Sequence, residues 1–181
     1  MAIAQRLILI IFCLGFSYGQ RIPVALFEPV VITSEQQYRI DVLDSLADKS
    51  VGQQHELALL YASTRAFEQS FDILSSLAEE DPENYDYQFM LGGIAGTLAS
   101  EVSQVKSLPY VRTMKTAFEQ AARIAPDSLT IQLVLLELYT ELPWVLGGSN
   151  KKAKKALSAV QSLSTIEGFL AAGYYLSLIH I

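Results

Sequence analysis

Cysteine is almost missing from this chain, and its single copy lies where it has no structural use. Cys13 sits inside an apolar run at the N-terminus. Residues 1–19, MAIAQRLILIIFCLGFSYG, hold one early cation (Arg6), the apolar run 7–16, and then Ser17-Tyr18-Gly19. A cation, a short apolar stretch and small residues at −3 and −1 are the parts of a secretory signal peptide, here cleaved before Gln20. The run is too short to anchor the chain in a bilayer. Phe12 stands where lipid attachment at Cys13 would need a small residue. The exported chain, expected in the periplasm, then has no cysteine and no disulfide, so packing alone must hold it together.

Other shortages exclude further classes. There are two histidines, His55 and His180, and no histidine or cysteine spacing suited to a metal. A Gly-x-Ser-x-Gly elbow is absent, and the acidic run Glu79, Glu80, Asp81, Glu83 reads as a solvated helix end. No catalytic, cofactor-binding or metal-binding residue is therefore assigned, and the chain is not expected to be an enzyme. Basic residues number 13 against 19 acidic ones, a net charge of −6, which argues against nucleic acid as a partner. No second apolar run approaches the roughly 18 residues of a membrane span. No stable membrane insertion is expected once the signal is removed.

What is present is helical periodicity. Residues 20–50 form an N-terminal segment: an extended lead at 21–32 with Pro23 and Pro29, an edge strand or a linker, then a helix expected over 35–48. Ser34 is its expected cap, with Gln37 at capping-box spacing and Ile40, Val42, Leu43 and Leu46 on one side. From residue 51 the apolar residues recur at spacings of three and four. Leu57, Ala58 and Tyr61 share one helix face; Phe71, Leu74, Leu77 and Ala78 share the next. Asp81-Pro82 ends the second helix, because proline disfavours helical geometry in the residue before it. Leu74, Leu77 and Pro82 stand at the same spacings as Phe118, Ala121 and Pro126. Such recurrence marks an all-α stack of helix pairs, divided as 51–84, 85–128, 129–165 and a partial unit 166–176. The second unit carries ten extra residues around 99–110, where Pro109 is expected to break the helix.

Two glycine clusters and one lysine cluster interrupt this pattern. Gly147-Gly148 lacks the Gly-Lys-Ser/Thr of a phosphate loop; Ser149 and Asn150 follow and suit a helix cap. The glycines are expected to make a left-handed turn between packed helices. Gly92, Gly93 and Gly96 lie inside a helix, where each costs about 1 kcal/mol relative to alanine. Either a neighbouring helix or a ligand presses against that backbone. Lys151, Lys152, Lys154 and Lys155 crowd a helix start with no acidic residue from 142 to 166. They are either an exposed face or a locally uncompensated patch that docks to an acidic protein or an anionic membrane surface.

The 34-residue unit with Ala58 midway in its first helix and Pro82 at its close resembles the tetratricopeptide repeat. Ser70 stands where that repeat usually has alanine, and Leu136 where it prefers a small residue. The segments EQAARIAPDS, LELYTELPWVLGGSNKKAKKAL and IEGFLAAGYY are similar to a subgroup of exported bacterial tetratricopeptide proteins with a Pro-x-x-x-Gly-Gly loop. The T component of TRAP-type solute transporters is similar around the same loop. The resemblance implies a TPR-like solenoid of about three pairs with an N-terminal signal peptide and capping segment. It also implies a concave, mostly apolar groove lined by the first helix of each pair. That places His55, Leu59 and Ala62, then Phe89 and Gly93, then Leu133 and Glu137 on the groove, or equally in plain core. The implied function is a non-catalytic scaffold for protein or peptide binding. The alternative is a small-ligand component of a solute transport system. Residues 177–181 read as foreign to the gene, so His180 is given no role.

Overall fold

The computed structural model describes residues 32–179. The expected signal peptide, nearly all of the expected extended lead, and His180 lie outside the described residues. Among those described the chain is all-α, with eight α-helices, one 3₁₀ turn and no strand. They are α1 (Ser34–Ser45), α2 (Val51–Ser63), α3 (Phe67–Glu80), α4 (Tyr85–Glu101) and α5 (Gln104–Ile124). After them come α6 (Leu129–Glu141), the turn Trp144–Leu146, α7 (Asn150–Leu163) and α8 (Thr165–Ile179). No helix among the described residues is long and apolar enough to cross a membrane. The described residues divide into two compact units, one up to Met114 and one from Lys115; their boundary falls inside α5.

Side-chain caps set the helix starts. Ser50 accepts from the Gln53 backbone while the Gln53 amide accepts from the Ser50 N–H, a reciprocal box that opens α2. The Asn84 carbonyl oxygen accepts from the N–H groups of Asp86 and Tyr87 and opens α4. At α1 the same box is made by Thr33 and Gln36, one residue before the expected Ser34 and Gln37. The two hydroxyls are adjacent and both have a glutamine three residues on, so spacing alone cannot separate them. The helix also stops at Ser45, short of the expected Asp48. Leu46 turns extended, and the Lys49 ammonium donates to the Leu46 and Asp44 carbonyls left open there.

Pro109 does not break its helix. The break comes earlier, where Val102 leaves α4 with extended backbone, and α5 runs through the proline. Ser107 N–H already reaches the Ser103 carbonyl, so Pro109 falls in the second turn and its missing N–H deprives only the Val105 carbonyl. Val105 is 80% exposed, and water can take the place of that donor.

In the first unit α1 packs on α2, α2 on α3 and α3 on α4. Its core holds Leu43, Leu57, Leu74, Leu77 and Ile94, each at most 2% exposed. The α2–α3 hairpin closes at Ala58 and Ser70, both fully buried. The Ser70 hydroxyl donates to the Ala58 carbonyl at 2.9 Å, which satisfies the polar atom that serine adds relative to alanine. Between these helices Arg65 takes a left-handed conformation (φ 64°), pairs with Glu101 at 3.1 Å and lies over the Phe67 ring. In α4, a Cβ on Gly96 would lie 3.0 Å from the Met114 sulfur of α5, so a neighbouring helix occupies this glycine face. Gly96→Leu is therefore expected to overpack the contact and cost about 1–3 kcal/mol. Urea melts check this, and an unchanged midpoint would rule it out.

In the second unit α6 packs on α7, α7 on α8, and α6 also meets α8. Ile131, Leu136 and Val160 are its largest fully buried side chains. Leu136 on α6 is buried despite its bulk, as are the small Ala153 and Ala156 on α7. The 142–149 connection is closed by backbone bonds: Leu146 N–H to Pro143 O, Gly147 N–H to Trp144 O, and Gly148 N–H to Pro143 O. Gly147 has φ 103°, the expected left-handed turn. Ser149 caps α7, its hydroxyl accepting from the Lys152 N–H.

Candidate functional site

The residues singled out from the sequence fall in both units. His55, Leu59, Phe89 and Gly93 belong to the first; Leu133, Glu137 and the four lysines belong to the second.

In the first unit, His55 from α2 sits half-buried against α4. Its Nε2 lies 3.4 Å from the Met90 sulfur, and its ring meets the Tyr87 ring edge-on at 5.1 Å. Those neighbours make it a packing residue between two helices. Among the described residues no group of three His, Cys, Asp or Glu side chains could hold a metal ion. Phe89 is half-buried and stacks on Tyr85 one turn earlier, at 5.6 Å and 13°. Leu59 and Gly93 are also half-buried, whereas Ala62, expected on the groove, is 1% exposed and belongs to the core.

In the second unit, Leu133 is half-buried and Glu137 is part of a carboxylate pair on α6. Burial, and then the Glu141 carboxylate one turn on, push Glu137 up to about 7. Burial also raises Glu141, although a hydrogen bond from the Tyr174 hydroxyl of α8 works the other way. The second oxygen of Glu141 is buried with no hydrogen-bond partner among the described residues. An i, i+4 acidic pair is visible in the sequence; its burial against α8 is not.

The four lysines are all exposed, but they are not all uncompensated as local sequence implies. Lys152 donates to Glu119 at 2.8 Å, across 33 residues. The same oxygen of Glu119 accepts from the Tyr139 hydroxyl at 2.7 Å, and its other oxygen accepts from Lys115 at 3.0 Å. Lys152 also lies over the Tyr139 ring at 5.0 Å. Burial alone would raise the Glu119 carboxyl; the hydrogen bonds from Lys152, Tyr139 and Lys115 outweigh it and hold the group at about 2. Burial and the adjacent Glu119 raise Tyr139. Lys151, Lys154 and Lys155 make no ion pair among the described residues.

Sequence reasoning missed several strongly exposed apolar side chains of the second unit. Trp144 is 85% exposed, on the 3₁₀ turn, while Phe169 and Ile166 on α8 are 76% and 71% exposed. The signal was present in α8. Glu167, Gly168, Ala171, Tyr174 and Tyr175 form its buried side, and Ile166, Phe169, Leu170 and Leu176 repeat at helical spacing on the other. A helix apolar on both sides needs two coverings. Searches against protein-family models and curated proteins find no match for the chain.

Proposed function

We propose that this chain is a non-catalytic helix-pair scaffold of the tetratricopeptide kind, exported to the periplasm, that binds a protein or peptide through apolar side chains. The exposure of Trp144, Phe169 and Ile166 carries this reading. Covering large apolar groups held on a turn and a helix removes their unfavourable contact with water, and tryptophan is strongly enriched among interface anchors. The Ala58–Ser70 closure supports the pairing, since small residues let two helices approach as a repeat hairpin requires. Within the first unit, Leu59 and Phe89 are the groove residues that the resemblance implies; within the second, the lysines are charges near Trp144 in sequence that tune association.

Capture of partners from an extract of the source by the chain beginning at Gln20 tests this. Trp144→Ala and Phe89→Ala are each expected to weaken capture by about 2 kcal/mol, roughly thirtyfold. Replacing Lys151, Lys152, Lys154 and Lys155 by glutamine is expected to slow association and flatten its salt dependence. If both alanine variants capture the same proteins as the parent, the scaffold reading is wrong. A second reading, a small-ligand component of a solute transport system, is favoured by one observation: a cleft lies between α6 and α7.

A further inference from the structure

The α6–α7 cleft has a volume of about 260 Å³ and is lined by Gln132, Leu135 and Tyr139 from α6 and by Lys152, Lys155, Ala156 and Ala159 from α7. Its origin is legible in the residues. Positions 132, 135 and 139 share one face of α6, and 152, 155, 156 and 159 share one face of α7. Where close-packed helices would place leucine or valine, α7 has Ala156 and Ala159, and the volume they leave near Leu135 is the cleft. The floor is apolar and one side is cationic. Lys152 is fixed there by Glu119 and the Tyr139 ring, and its ammonium keeps donors beyond the one given to Glu119. Lys155 is exposed and makes no ion pair among the described residues. The surroundings do not oppose an anion: residues 115–181 hold six bases against five acids, while residues 23–114 hold five against fourteen.

The geometry points to a binding site for a carboxylate carried on a short aliphatic group. The carboxylate lies between Lys152 and Lys155, and the aliphatic part lies over Leu135, Ala156 and Ala159. This rests on the small-ligand reading and names the ligand's chemistry. The volume falls just under the roughly 300–1,000 Å³ of drug-sized pockets, so a short chain fits and a large cofactor does not. Two sources share this chemistry: a short fatty acid, and the C-terminal aliphatic residue of a peptide.

Calorimetric titration of the chain beginning at Gln20 with octanoate, N-acetyl-leucine and their neutral counterparts, octanol and N-acetyl-leucinamide, separates the possibilities. An acid is expected to bind about tenfold or more tightly than its neutral counterpart, because the charge-assisted bonds are lost with the carboxylate. Whichever acid binds identifies the source. Lys155→Gln, at an exposed position, is expected to weaken that acid about fivefold and flatten its salt dependence. Ala159→Leu fills the cleft and is expected to abolish binding with the melting midpoint held or raised. Should the leucine not be accommodated, the Lys155→Gln result decides alone. Octanol binding as tightly as octanoate overturns the carboxylate site and leaves the small-ligand reading standing. Acid binding that is unchanged in both variants overturns the location. No binding by any probe overturns site and small-ligand reading together.

Discussion

Gly148→Ala is expected to be the most damaging single methyl group that can be added to this chain, costing about 3 kcal/mol or more. A Cβ at this position would lie 1.7 Å from the Leu142 carbonyl oxygen and 2.6 Å from its carbon, well inside any allowed contact. The obstacle is backbone, so no rotamer change relieves it. Leu142 cannot withdraw freely, since its N–H is bonded to the Leu138 carbonyl at 3.0 Å at the end of α6. Gly148 is tied in turn to Pro143, and Ser149 N–H to the Tyr139 carbonyl at 2.8 Å. Relief therefore means opening the connection that sets α7 against α6. Gly147→Ala differs in kind. Its left-handed φ of 103° costs roughly 1–2 kcal/mol for an L-residue, but the atoms crowding its Cβ belong to the flexible Lys115 side chain. Gly52→Ala, in α2 with nothing within 4 Å, is the control and is expected to stabilise by about 0.5–1 kcal/mol. Urea melts of the three variants should rank Gly148 far below Gly147 and Gly52 above the parent. A Gly148→Ala midpoint equal to the parent's would mean that the connection is not built as described.

How far the sequence revealed this arrangement depends on the range of the interactions involved. Caps and turns are local and were readable: the cap at Ser149, the stop at Asp81-Pro82 and the left-handed Gly147 all lie within a few residues of what they control. Local ambiguity explains the one-residue shift at Thr33. Pro109 was misplaced for a different reason. Proline penalises a helix by removing a particular hydrogen bond, and that penalty is small near a helix start whose carbonyl acceptor faces water. The site residues depended on contacts across the chain. Lys152 looked unbalanced because its partner, Glu119, is 33 residues away. The Glu137–Glu141 spacing was visible, but nothing in a window around it announces that the pair will be buried or that Tyr174 will reach Glu141 from α8. The α6–α7 cleft was hidden for a related reason. The effect of small side chains such as Ala156 and Ala159 depends on the opposite helix, which alone shows how much room they leave.

The buried acidic pair gives the second large effect, a stability that falls as pH rises toward neutrality. In the unfolded chain Glu137 releases its proton near the ordinary 4.5; in the folded chain it holds the proton up to about 7. Between those values the folded state binds more protons than the unfolded one, so stability declines across that window and this group contributes no further change above it. The interval corresponds to about 3 kcal/mol. Burial raises Glu141 as well, which adds to the same slope. Glu119 acts in the opposite direction at lower pH. Held at about 2, it contributes stability that is fully present above 4.5 and is lost as pH falls through 2, reduced by solvent screening at this partly exposed site. The parent is therefore expected to melt several degrees higher at pH 5 than at pH 8. Glu137→Gln keeps the shape of the side chain but removes the charge that must form inside the unit. It is expected to melt above the parent at pH 8, to match it near pH 5, and to lose most of the pH dependence. Exposed Glu79→Gln makes the same change in net charge and serves as the control. If Glu79→Gln flattens the profile as much as Glu137→Gln does, the slope reflects the chain's overall acidity and not the burial of Glu137 beside Glu141.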